Sequence, residues 1–175
     1  MLITKSIYNT LNDTTKRDIK MLTRSITGEQ LSVADKTNEV YIAFNNNKLI
    51  GFAMLSTYSP ENHFGNSGVY LYNFITNIYT NKLQRCGKQL LTFIENDLRS
   101  INENNTENKN NNENITENKN ITENNIINLD VVNSNIRAFK FFINNGYKVV
   151  GKYIKKKFVN KDELITYISL SKTIY

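Results

Sequence analysis

Two stretches hold residues whose types and spacing suit chemistry. The first is Gln84-Arg85-Cys86-Gly87-Lys88, which follows the β-branched and aromatic run Ile75 to Thr80 and precedes Leu90, Leu91, Ile94, Leu98 and Ile101 at helical spacing. A strand, a short polar loop and a helix starting near Gly87 would aim unpaired backbone N–H groups into the loop. The positive end of the helix dipole there favours an anion such as a pyrophosphate. The second is Asp130, the polar exception in the apolar run Ile126 to Val132. A carboxylate in such a strand needs a hydrogen-bonding partner unless its side chain reaches solvent at the sheet surface. Cys86 invites a nucleophile reading, but no histidine lies near it in sequence. His63, the single histidine, falls in the Pro- and Gly-containing stretch Ser56 to Gly68 and is read as a solvated loop residue.

The elements that must position these groups follow from periodicity and punctuation. Leu2 to Ile7 reads as a strand, and Asn12-Asp13 as the cap of a helix carrying Ile19, Leu22 and Ile26 on one face. Thr27 to Asn38 is polar and reads as loop or short helix. Glu39 to Phe44 and Lys48 to Leu55 form a hairpin across Asn45-Asn46-Asn47, a turn composition that tolerates positive φ. Val69 to Thr80 is a long strand with room for a bulge near Asn73 and Thr76. Ile126 to Val132 is a buried strand, and Ser134 or Asn135 caps a helix that Asn145-Gly146 stops. Tyr147 to Ile154 and Leu164 to Leu170 are the final pair of strands, joined near Asn160-Lys161-Asp162. This order predicts an α/β fold around a mixed, mostly antiparallel central sheet flanked by helices, with an internal parallel βαβ pair.

Composition bounds the alternatives. The 175 residues suit one domain carrying an insert, and 39% hydrophobic residues can build a core although the mean hydropathy is −0.47. The low mean comes from Ile101 to Asn125, where Asn makes up about half of the residues and Ile-Thr-Glu-Asn recurs at 115 and 121. That tract reads as a disordered low-complexity insert at 101–125 of a single domain. It holds two Lys and five Glu, a net −3, so the chain's +6 becomes +9 outside it. A basic remainder favours anionic partners without separating nucleic acid from a phosphorylated cofactor. One cysteine rules out an intramolecular disulfide framework and a Cys-rich zinc site. No run is long and apolar enough for a signal peptide or a membrane span, so no membrane role and a cytoplasmic or nuclear location are expected.

With the element order in place, the sequence resembles the GNAT (Gcn5-related N-acetyltransferase) family over roughly residues 39 to 170, the insert excluded. The resemblance is carried by Tyr41-Ile42-Ala43-Phe44 with Leu49-Ile50-Gly51-Phe52-Ala53, by Ile75 to Thr80 leading to Gln84-Arg85-Cys86-Gly87, and by Asn135-x-x-Ala138-x-x-Phe141-Phe142-x-x-x-Gly146-Tyr147. It implies acetyl-CoA as co-substrate, no metal, and acetyl transfer to a primary amine, either a small molecule or a protein N-terminus. It also implies that backbone groups of Ile78 and Thr80 hold the pantetheine arm and polarise the thioester carbonyl. Gln84, Arg85, Cys86, Gly87 and Lys88 would take the pyrophosphate, and Asn135 and Phe142 would line the cofactor site. Asp130 stands where relatives that acetylate N-terminal amines carry a base.

The departures from the family pattern are specific. The pyrophosphate loop of the family reads Gln/Arg-x-x-Gly-x-Gly/Ala. Here either Gln84 and Gly87 open it and Lys88-Gln89 follows, or Gly87 is its second glycine with Arg85 and Lys82 upstream. Either way one glycine is lost, and Arg85 and Lys88 would supply charge where close backbone contacts are missing. Phe142 stands where many members carry the tyrosine that protonates the thiolate, leaving Tyr72, Tyr79, Tyr147 or water for that task. No Tyr-Tyr pair follows Tyr147. Two readings from other classes compete: a non-catalytic GNAT-like CoA-binding or scaffold protein, and, ranked last, a basic nucleic-acid-binding protein using Lys152, Lys155, Lys156 and Lys157.

Overall fold

The structure is a computed structural model that describes residues 1–28, 30–31, 39–56, 68–77, 85–109 (backbone only for 104–109), 125–156 and 163–174. The elements are β1 (Leu2–Ile7), a 3-10 turn (Tyr8–Thr10), α1 (Asp13–Thr27), β2 (Glu39–Asn45), β3 (Lys48–Ser56), β4 (Val69–Thr76), α2 (Cys86–Lys109), β5 (Ile126–Val132), α3 (Ile136–Asn144), β6 (Lys148–Lys156) and β7 (Leu164–Thr173). The strands form a seven-stranded sheet in the order β1-β2-β3-β4-β5-β7-β6. β4 and β5 are parallel, while β1–β2, β2–β3, β5–β7 and β6–β7 are antiparallel, which is the mixed sheet expected. The chain divides into two compact units, Met1–Ser56 with Leu71–Asp97, and Thr57–Tyr70 with Leu98–Tyr175.

In the first unit local chemistry sets the elements. Asn12 Oδ1 accepts from Thr15 N at 2.8 Å and opens α1, and Gly28 closes it at φ 74°. Ile19 and Leu22 are buried with Val40, Ile42, Phe52, Met54 and Ile75, so the apolar stripe of α1 covers one face of the sheet. Asn46 and Asn47 both take positive φ (49° and 59°), as a type I′ hairpin turn between β2 and β3 requires. The hairpin register passes from Ala43↔Gly51 to Phe44↔Leu49 and skips Ile50. This bulge turns Ile50 onto the face it shares with Ala43 and Cys86, while Leu49 joins the α1 face.

An ionic group closes the far end of this unit. Lys5 Nζ lies 2.9 Å from both Glu39 Oε1 and Asp97 Oδ2, and the Tyr41 hydroxyl donates to Asp97 Oδ2 at 2.7 Å. Burial, then the carboxylates beside it, push the Tyr41 phenol far above its ordinary value, and burial alone raises Tyr8. For Lys5, burial lowers the pKa, but the bonds to Asp97 and Glu39 and their charges outweigh it, and the net direction is up. All three groups keep their protons in the fold after the unfolded chain would lose them, so stability is complete below pH 10 and falls above it. In urea unfolding between pH 10 and 11, Tyr41→Phe should reduce this loss by about 1 kcal/mol. An unchanged slope would show that Tyr41 ionises equally in both states.

The second unit is built on β5, β7 and β6 with the first residues of β4. Asn135 Oδ1 accepts from Ala138 N at 3.1 Å and caps α3. Gly146 at φ 89° ends it, with Gly146 N donating to Ile143 O and Tyr147 N to Phe142 O. β6 stands at the end of the strand order and exposes Lys148, Lys152, Lys155 and Lys156. Lysines there blunt edge-to-edge pairing, which accounts for the basic cluster without a nucleic acid. Lys157 lies outside the described residues.

Two boundaries differ from the sequence reading. Helix α2 continues to Lys109, so the first part of the Asn-rich tract, expected from Ile101 onward, is helical. A helix already nucleated on Leu90, Leu91, Ile94 and Leu98 extends through residues of modest propensity at little cost per residue. Residues 110–124 lie outside the described residues. Strand β4 ends at Thr76, where Asn77 N donates to Ile50 O at 2.7 Å, and Ile78 to Thr80 are outside the described residues.

Candidate functional site

The strand-loop-helix stretch belongs to the first unit. Arg85 sits at φ 47°, and its carbonyl accepts from Gln89 N at 3.1 Å, so it is the residue from which α2 begins. The N–H groups of Cys86, Gly87 and Lys88 therefore occupy the first turn, ahead of the intrahelical ladder. Arg85 and Lys88 are exposed and Gly87 is half-buried. Three first-turn amides, the helix dipole and two cations suit a phosphate-bearing ligand. Gln84, Ile78 and Thr80, expected beside them, fall outside the described residues, as do Tyr79 and His63.

The Cys86 side chain turns the other way. It is buried with Ala43 and Ile50, and its Sγ lies 3.3 Å from the position a Cβ on Gly51 would take. The thiol is thus a packing element between helix start and bulge, and the nucleophile reading fails on access. Gly51 has a local reason as well: an added Cβ would meet Thr76 Cγ2 at 3.0 Å and Ile75 O at 3.1 Å.

In the second unit the structure finds the partners that Asp130 needs. Asp130 Oδ2 accepts from the Tyr70 hydroxyl and from the Tyr153 hydroxyl, each at 2.7 Å, and Oδ1 accepts from the Ser169 hydroxyl at 2.7 Å. Strand register explains the convergence. Asp130 pairs with Ser169 and Asn128 with Ser171, while Tyr70 pairs with Asn128. Gly151 stands opposite Ser169, and Tyr153 opposite Tyr167. Directly paired residues share a face, and a long side chain reaches the diagonal neighbour two positions on. Tyr70 thus reaches Asp130 diagonally from the neighbouring β4, and Tyr153 reaches it from β6, across the intervening β7.

The surroundings are graded in exposure. Ser169 and Asn128 are fully buried and Tyr70 is buried at 5%, while Asp130, Tyr153 and Tyr167 are half-buried. The Tyr153 and Tyr167 rings stack at 5.2 Å with 13° between planes. Sequence reasoning singled out Asp130 and missed Tyr70, Tyr153 and Ser169. For Ser169 the signal was the period-2 placement of polar residues in apolar strands, Asn128-x-Asp130 and Ser169-x-Ser171, which marks one polar stripe on a sheet face.

The remaining expected residues are spoken for locally. The Asn135 side chain caps its own helix. Phe142 is buried, edge-on to Phe141 at 5.1 Å and to Tyr147 at 5.2 Å, and serves as core. Tyr147 is buried beneath it, with Lys172 Nζ 5.6 Å from its ring centre, and Tyr72 packs against the α1 core. Among the described residues no three carboxylate, histidine or cysteine groups gather into a metal cluster, and no helix is long and apolar enough to cross a membrane.

No protein-family sequence model matches the chain, and no curated sequence matches it either. Solved structures do. The ribosomal-protein-S18-alanine N-acetyltransferase of Escherichia coli superposes with a TM-score of 0.67 at 14% identity, over 99% of this chain and 94% of that one. Arabidopsis thaliana Naa50, in complex with the bisubstrate analogue CoA-Ac-MVNAL, gives 0.65 at 14% identity and 99% coverage of both chains. An N-acetyltransferase from Staphylococcus aureus Mu50 gives 0.64 at 9% identity over the full length of both. With its mixed seven-stranded sheet and near-complete superposition on these enzymes, the chain has the fold of the GNAT N-acetyltransferases.

Proposed function

We propose that this chain is, over residues 1–175, a single acetyl-CoA-dependent N-acetyltransferase domain that moves an acetyl group directly to a primary amine, on a small molecule or a protein N-terminus. The observation that carries the reading is Asp130 on β5 of this fold, a half-buried carboxylate that accepts from three hydroxyls of the described residues. Acyl transfer from a thioester requires the amine to lose a proton, and Asp130 is the group that takes it. The start of α2 is the support for the co-substrate: its first-turn amides with Arg85 and Lys88 meet the pyrophosphate. The Naa50 neighbour, bound to a CoA-containing bisubstrate analogue, supports the same assignment.

Isothermal titration with acetyl-CoA tests the first half of this reading, and CoA release across a panel of primary amines tests the second. Absence of heat at high micromolar acetyl-CoA would sink it. Replacing Arg85 and Lys88 together by glutamate should weaken acetyl-CoA binding by about tenfold or more, about 1.4 kcal/mol, with a smaller loss at high salt. Equal affinity of the variant and the parent chain would move the pyrophosphate away from α2. Binding without turnover on any amine would favour the non-catalytic reading, which the core role of Phe142 at the usual acid position supports.

A further inference from the structure

We infer that Tyr153 is the group through which the proton leaving the acceptor amine reaches Asp130, with Tyr70 and Ser169 holding the carboxylate in place. The inference rests on the N-acetyltransferase reading above and adds the route of the proton.

Among the described residues three hydroxyls meet Asp130, and they differ in access. Ser169 is fully buried and Tyr70 is buried at 5%, so neither presents its oxygen to an incoming substrate. Tyr153 is half-buried and donates to the same oxygen, Oδ2, as Tyr70 does. Its ring is stacked on Tyr167 at 5.2 Å and 13°, which fixes the plane and therefore the direction of the hydroxyl. Gly151, opposite Ser169, offers no side chain of its own along the diagonal that Tyr153 spans to Asp130.

A phenol suits this position because it donates and accepts through one oxygen. As the amine nitrogen bonds to the thioester carbonyl carbon, the nitrogen becomes positive. Its proton passes to Tyr153 Oη while the phenolic proton passes to Asp130 Oδ2. The carbon–sulfur bond then breaks, the electron pair leaves on the thiolate, and the thiolate takes a proton from water. Tyr153 ends as the neutral phenol, and Asp130 returns its proton to solvent. Tyr153 is thus a catalytic residue, and Tyr70 and Ser169 are positioning residues.

The test compares Tyr153→Phe with Tyr70→Phe, which delete hydrogen bonds to the same carboxylate oxygen. Tyr153→Phe should lower kcat about a hundredfold at pH 7, with acetyl-CoA affinity unchanged within about twofold. Its deficit should shrink as pH rises and hydroxide removes the amine proton directly. Tyr70→Phe should cost less than about tenfold at every pH. Tyr153→His, which can also accept and pass a proton, should recover part of the lost rate. A readout independent of turnover is the carboxyl resonance of Asp130 in carbon-13-labelled protein, which should move in Tyr153→Phe.

A deficit in Tyr153→Phe that is constant with pH, or equal to that of Tyr70→Phe, would overturn the relay and leave a packing role. An Asp130 resonance unmoved by the substitution would do the same. If Asp130→Asn abolishes turnover and Tyr153→Phe does not, the relay fails while the acetyltransferase reading stands. A parent chain that releases no CoA with any amine removes both.

Discussion

Asp130→Asn should lower kcat by about 10²- to 10⁴-fold, the range associated with loss of a positioned general base, while acetyl-CoA binds within about twofold of the parent chain. The asparagine is nearly isosteric and keeps one oxygen, so the backbone of β5 and its pairing with β7 are retained. What changes is that an amide nitrogen replaces one acceptor oxygen, and at least one of the Tyr70, Tyr153 and Ser169 hydroxyls loses its acceptor. Hydrogen bonds to a charged partner are worth about 1.5–3 kcal/mol each, so a measurable drop in stability should accompany the loss of rate. Asp130→Ala should destabilise more, because all three hydroxyls lose their acceptor. Steady-state rates, calorimetric binding and urea unfolding on the same preparations separate these effects. A kcat within threefold of the parent chain would remove Asp130 from the mechanism and leave it as a structural hub.

The second large effect is on stability. Gly51→Ala should destabilise by about 1–3 kcal/mol and Gly51→Val by more, as expected for forcing atoms into a packed interior. For a chain of this length 1 kcal/mol corresponds to about 2–4 °C in Tm. An alanine in an ordinary strand position would be an improvement over glycine. Here the added carbon stands 3.0 Å from Thr76 Cγ2, 3.1 Å from Ile75 O and 3.3 Å from Cys86 Sγ, and a backbone oxygen cannot swing aside. Because Cys86 opens α2, the displacement should also weaken acetyl-CoA binding at the adjacent first-turn amides. Cys86→Ala should cost stability alone yet recover part of the loss in the Gly51→Ala background, a coupling that a double-mutant cycle reads. A Gly51→Ala chain that melts at or above the parent Tm would show that this contact is not tight.

Most of the element order was legible because its signals are local. The three-Asn turn lies within a few residues, and so do the caps at Asn12 and Asn135 and the stop at Gly146. The apolar spacing of Leu90, Leu91, Ile94 and Leu98 fixed one face of α2, and all four are buried. The end of that helix was not legible. Composition argues against nucleating a helix in an Asn-rich tract, but extension from a packed helix obeys a different balance. Cys86 was ambiguous for a related reason: a thiol in a polar loop and a thiol on the buried side of a first helical turn have the same neighbours in sequence.

By itself the sequence determined that an acidic residue interrupts a buried strand and that a basic, glycine-containing turn leads into an amphipathic helix. It could not supply the partners of that acid. Tyr70, Tyr153 and Ser169 lie 60, 23 and 39 positions from Asp130 along the chain, and nothing in the local context of the two tyrosines marks them. Only strand order and pairing decide which residues, remote in sequence, come together on one sheet face. That register turned an isolated Asp130 into a carboxylate that accepts from three hydroxyls of the described residues, one of them on the half-buried Tyr153.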